Sequence, residues 1–147
     1  MRDEISASAT VMPTPAQEDM PRTLLVVNGE FVAPILNGLK NIEVRNYGTN
    51  KRESISIGSA CHNFGQVDVV NSLETTQAGL QATRDKHLDQ TLEIVGKYDN
   101  PHQWVLAKPR WYQVTVPYTN HGRHWVILNK DQPKGKYIEY FPKVNLE

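Results

Sequence analysis

Short apolar runs recur along this chain, and they constrain its fold more than any other feature. Thr23-Leu-Leu-Val-Val-Asn28 is a continuous run that suits a buried strand. Lys40-Asn-Ile-Glu-Val-Arg45 and residues 54–60 alternate apolar and polar side chains, as half-buried strands do. Residues 65–70, 104–106, 112–116, 124–128 and 137–141 supply further strands. Residues 29–38 read as a short helix, with Phe31, Ile35 and Leu36 on one face, Pro34 near its start and Gly38 as its stop. Residues 75–95 read as a longer helical region that Gly79 weakens. Many short strands with two helical insertions predict an α+β fold: a small, strongly curved sheet or β-barrel with short helices. A parallel nucleotide-binding sheet is excluded by the same pattern.

The 147 residues suit a single domain with one core. A single cysteine, Cys61, excludes an intramolecular disulfide and a four-cysteine zinc site. No apolar run approaches the roughly 20 residues that span a bilayer, and the first residues lack the apolar stretch of a secretory signal. A cytoplasmic protein without membrane association is expected. Lys+Arg and Asp+Glu balance at 16 each, but unevenly along the chain. Residues 1–20 carry Arg2 against Asp3, Glu4, Glu18 and Asp19, and are rich in Ser, Thr, Ala and Pro. They read as a flexible acidic tail ahead of a folded domain over residues 21–147, because they offer little apolar surface to offset ordering entropy. Residues 101–147 lean basic, which permits a surface for an anionic ligand.

The most informative pattern is Gly38-x-Lys40-x-x-Glu43-x-Arg45, placed where the first helix gives way to a strand. Period two puts Asn41, Glu43 and Arg45 on the outward face, with Ile42 and Val44 inward and Lys40 at the strand entrance. A lysine beside a helix end, with Lys51 and Arg52 in the following loop, can hold a phosphate or a polarised carbonyl. Arg45 can bind phosphate in a bidentate manner and stack on a base. The plainer alternative is a Glu43–Arg45 ion pair that sets the packing of helix and strand.

Together with the strand at residues 54–60, the glycine-led strand at 65–70 and the late pair at 104–109 and 114–117, this pattern resembles the signature of ASCH domains, a branch of the PUA-like superfamily. The resemblance covers roughly residues 24–128. It implies a PUA-like β-barrel and a cleft between the first helix, the 40–45 segment and the barrel strands. Certain enzymatic members rely on a Lys, a Thr and a Glu. Lys40 matches the lysine position, and Glu43 stands at the threonine position. Their glutamate lies in the central helical insertion, where Asp85, Asp89 and Glu93 are regional candidates.

Histidines and the cysteine add little chemistry. His121 and His124 span a turn and a strand start, and no carboxylate sits at a diagnostic spacing, so neither a metal nor another cofactor is expected. Cys61 and His62 are adjacent, and neighbouring strand residues point to opposite faces, which argues for a buried, inert thiol. His62 is expected to end a strand or line the pocket. Trp111, Tyr112, Tyr118, His121, Arg123, His124 and Trp125 interleave rings and charge around two strands, a composition that single-stranded RNA recognition uses. Core packing is the alternative for Trp125 and Tyr112, while Tyr118 and Arg123 fall in the connecting turn.

The expected function is binding of RNA or a modified nucleoside through Lys40, Arg45, Lys51, Arg52, Tyr118 and Arg123. One alternative is a hydrolase, either a ribonuclease or an amidohydrolase on acylated cytidine nucleosides, with Lys40 and Glu43 as catalytic residues. The other is a non-catalytic module with a protein partner.

Overall fold

In a computed structural model, residues 5–89, 95–120 and 122–128 are described. Among these residues seven strands form one mixed sheet: β1 (Val11–Met12), β2 (Thr23–Val26), β3 (Ile42–Arg45), β4 (Ser54–Ser59), β5 (His62–Glu74), β6 (His102–Pro117) and β7 (Trp125–Ile127). Three short α-helices among the same residues accompany them: α1 (Gly29–Leu36), α2 (Gln77–Ala82) and α3 (Arg84–His87). The expected strand at residues 137–141 lies outside the described residues.

The spine is the antiparallel pair of β5 and β6, which are 13 and 16 residues long. Two strands expected separately, 104–106 and 112–116, are thus parts of one. Register shifts let the pair bend, and a β-carbon at Gly65 would collide with the Arg110 carbonyl oxygen, so only glycine permits this approach. β4 and then β2 and β7 extend the sheet beyond β5. On the other edge of β6 lie β1, parallel at Val11↔Trp111, and β3, antiparallel at Ile42↔Val105.

The described strands do not close into a barrel. The order β1-β6-β5-β4-β2-β7 is open, with β3 reaching only β6. Arg45 of β3 crosses the remaining seam with its side chain instead, donating from Nη2 to the Val26 carbonyl of β2 at 2.9 Å. The guanidinium thus ties β3 to β2, two strands that share no backbone ladder.

Val32, Ile35 and Leu36 of α1 pack with Leu25, Ile55, Ile57, Val67, Val69 and the large rings of Trp104 and Trp111. Pro34 falls inside α1 rather than in its first turn. Residues 5–20 depart from the expected flexible tail. Ile5 is 1% exposed within the main core, Ala9 and Val11 pack against it, and Thr14 Oγ1 exchanges hydrogen bonds with the Val114 backbone at 2.9 Å. Few apolar residues suffice here, because β6 offers a free edge and Ile5 a deep site. The long helix expected over residues 75–95 is instead two short pieces. Thr76 caps α2 through the Gly79 amide, and Leu88 ends α3 in the left-handed region (φ 62°). No helix among the described residues is long and apolar enough to cross a membrane.

Candidate functional site

The seam that Arg45 crosses opens into a cavity of about 370 Å³. The end of β2 (Val26), the start of α1 (Asn28, Phe31), β3 (Glu43, Val44, Arg45), Asp89 beyond α3, Tyr98 and the β6–β7 loop (Asn120, Arg123, His124) line it, with Lys40 at its floor.

Local sequence explains how Lys40 arrives there. α1 ends at Leu36, and Gly38 takes a positive φ of 81° that turns the chain back, so that the amides of Leu39 and Lys40 both donate to the Pro34 carbonyl. The Lys40 side chain, 3% exposed, passes over the Phe31 ring at 4.7 Å from its centroid. Its ammonium meets the Ile42 carbonyl at 2.7 Å, the His87 carbonyl at 2.6 Å and Glu43 Oε1 at 3.3 Å. An ammonium has three hydrogens, and these three acceptors use them all. The second carboxylate oxygen, Glu43 Oε2, accepts from Arg45 Nε at 2.9 Å and Nη2 at 2.7 Å. Arg45 Nη1 reaches His124 Nδ1 at 3.3 Å.

Glu43 and Arg45 are 7% and 8% exposed, so the face expected to point to solvent is buried, facing a cavity rather than bulk water. Period two was legible; the covering segments were not. Burial pushes the Lys40 ammonium below its ordinary value of 10.5, against the pull of Glu43 and Asp89. Glu43 favours the charged lysine, but desolvation outweighs it. For Glu43 itself, burial pushes upward, but Lys40 and Arg45 together hold the carboxyl below its ordinary 4.5.

His87 supports this floor. It is fully buried, its Nδ1 accepts from the Asp89 amide at 3.0 Å, and its Nε2 therefore carries the proton and donates to the Leu80 carbonyl at 2.8 Å. One neutral histidine thus fixes both the carbonyl that binds Lys40 and the backbone of Asp89.

The other expected residues divide. Arg123 is exposed and lines the cavity. Tyr118 does not: at 6% exposure it packs with Leu24 and Val126, and burial pushes its phenol up to about 12. Lys51 sits 5.9 Å over the Trp125 ring, away from the cavity lining. Arg52 donates to the carbonyls of Thr49 and Lys51, bracing its own loop. Both follow Lys40 closely in the chain, but neither lines its cavity. Asp89 reaches the cavity; Asp85 does not, and Glu93 and His121 lie outside the described residues.

Asn28 and Phe31 join the lining from the start of α1, and Tyr98 and Asn120 from connecting segments that carried no sequence signal for it. Cys61 is exposed rather than buried, at the tip of the β4–β5 hairpin, where both Ala60 and Cys61 have positive φ (50° and 64°). His62 opens β5 and is not part of the cavity lining. Among the described residues no cluster of His, Cys, Asp and Glu could hold a metal.

No protein-family model and no curated protein matches the chain. Solved structures do. A tyrosine-to-phenylalanine variant of ZmASCH from Zymomonas mobilis superposes with a TM-score of 0.62 at 12% identity, covering 74% of this chain and 90% of that one. The ASCH protein of Zymomonas mobilis itself gives 0.59 at 12% identity, over 74% and 88% of the two chains. This chain has an ASCH-family fold.

Proposed function

We propose that the chain binds RNA, or a modified nucleoside, by drawing one nucleoside-sized group into the seam cavity. The observation that carries this reading is the cavity itself, about 370 Å³ and floored by a buried Lys40–Glu43–Arg45 cluster. That volume sits at the small end of the range of about 300–1,000 Å³ for small-molecule pockets. Phe31 and Tyr98 supply rings, while Asn28, Asn120 and His124 supply donors and acceptors suited to a base edge. The leaning of residues 101–147 toward basic charge, with Arg123 at the mouth, is compatible with a phosphate-bearing ligand.

A hydrolase is the second reading, and Asp89 sharing the cavity with Lys40 favours it. Against it, both oxygens of Glu43 and all three hydrogens of Lys40 are engaged internally, so neither is poised to attack or to move a proton.

Titrating the full chain with ribonucleosides and short single-stranded RNA tests the reading. RNA binding that weakens steeply with salt supports the binder. Turnover of RNA or of an acylated cytidine nucleoside would establish the hydrolase. Neither binding nor turnover would leave the protein-interaction module.

A further inference from the structure

Charge is distributed unevenly within the cavity. Lys40 and Arg45 contact Glu43, and Asp89 acts on Lys40 as well, so two cations face two carboxylates at the floor. The uncompensated charge lies at the mouth. Arg123 is exposed there, and its side chain pairs with no carboxylate among the described residues. Its backbone amide donates to Asn120 Oδ1 at 2.9 Å, which holds the turn in place.

The next residue, His124, has its carbonyl fixed by the Val26 amide at 2.8 Å and its Nδ1 at 3.3 Å from Arg45 Nη1. A guanidinium only donates. Nδ1 therefore accepts, and the imidazole in this arrangement is neutral with its proton on Nε2.

We propose that Arg123 and His124 form a phosphate subsite at the mouth of the cavity, so that the ligand is a nucleotide unit with an attached phosphodiester and His124 takes up a proton when it binds. This rests on the reading of the cavity as a nucleoside site. A floor with matched charges suits an uncharged base and offers a phosphodiester no net attraction. At the mouth the balance reverses.

The groups facing His124 decide its protonation. Arg45 and Glu43 come from β3, Lys40 from its lead-in, Asp89 from beyond α3, Tyr98 from the opposite wall and Arg123 from its own loop; Asn28 and Phe31 of the α1 start do not titrate. Arg45 and Arg123 are the nearest in space or sequence, and a guanidinium offers no acceptor to a protonated Nδ1. A phosphate arriving between them supplies that acceptor. The proton then comes from solvent to Nδ1, the bond from Arg45 is given up, and an Nη1 hydrogen of Arg45 turns to the ligand.

Calorimetric titration of the full chain with ribonucleosides and with dinucleoside monophosphates tests this at about pH 5.5 and about pH 8, either side of the histidine range. The phosphodiester keeps one charge across that range, so any change belongs to the protein. The dinucleoside is expected to bind about tenfold tighter than the nucleoside, and to tighten further by about tenfold at the lower pH. In His124→Gln, whose amide oxygen can still accept from Arg45, that pH dependence disappears. Arg123→Gln weakens the dinucleoside about tenfold more than the nucleoside. Equal affinity for the two ligands, or a pH dependence that survives His124→Gln, overturns the subsite while leaving the nucleoside reading intact. Absence of binding by either ligand overturns both.

Discussion

Glu43 Oε1 lies 3.3 Å from Lys40 Nζ, and both side chains are almost entirely withdrawn from solvent. Because Glu43 Oε2 is shared with Arg45, the carboxylate is the link that holds two cations in one wall. A buried charge is tolerated only while its partners are in place, and that makes this cluster structural as well as part of the site.

Lys40→Met is therefore expected to destabilise the fold by about 3–5 kcal/mol, because it leaves the buried Glu43 short of a counter-charge. Urea unfolding monitored by circular dichroism measures this. A loss below about 0.5 kcal/mol, in the range of ordinary surface changes, would show that the cluster is effectively solvated.

Glu43 also predicts an acid transition. Its folded-state value is held below 4.5, so its stabilisation is complete above that pH and is lost as pH falls through the folded value. Glu43→Gln should be less stable than the parent at neutral pH, and the difference should narrow only below about pH 4.5. A difference that stays constant into strong acid would contradict the assignment.

The amino-terminal segment makes a third prediction. Ile5→Ala removes a side chain that is 1% exposed in the main core and should cost about 2–4 kcal/mol. For a chain of this size the melting temperature falls by about 2–4 °C per kcal/mol. Deleting residues 1–12, which also removes β1, should lower it further. An unchanged melting temperature would mean that the segment does not dock in solution.

Tyr112 and Tyr118 supply an alkaline signature. Burial pushes both phenols up to about 12, against an ordinary 10.0. A raised folded value stabilises below the unfolded one and is lost as pH rises through the folded one, so stability should decline from about pH 10 towards about pH 12. Phenolate absorbance should show these two rings ionising after the others, together with unfolding. Tyr112→Phe combined with Tyr118→Phe should shift that alkaline unfolding to higher pH.

Arg52 offers a contrast to the cavity residues. Its guanidinium is spent on the Thr49 and Lys51 carbonyls, outside the cavity lining. Arg52→Ala should leave nucleoside affinity within twofold of the parent, roughly 0.4 kcal/mol. A tenfold loss by the same titration would place the binding surface on the 49–53 loop instead.

Strand and helix positions were legible from the sequence alone because they follow local patterns. The 54–60 alternation appears as β4, the apolar run after Arg22 as β2, and Gly38 ends α1 with the positive φ that suits glycine. Lys40, Glu43 and Arg45 were also visible as a chemical set, since their spacing after a helix stop is written in the chain, whereas only the fold brings Arg123 to the same cavity. What surrounds them was not. Whether the outward face of β3 meets solvent depends on where α3 and the β6–β7 loop come to rest, and those contacts join residues up to 79 positions apart, as between Arg45 and His124. The same long-range packing docks Ile5, buries Tyr118 and carries Lys51 away from Lys40, because period and composition report a residue's local preference while burial is decided by which distant segment covers it.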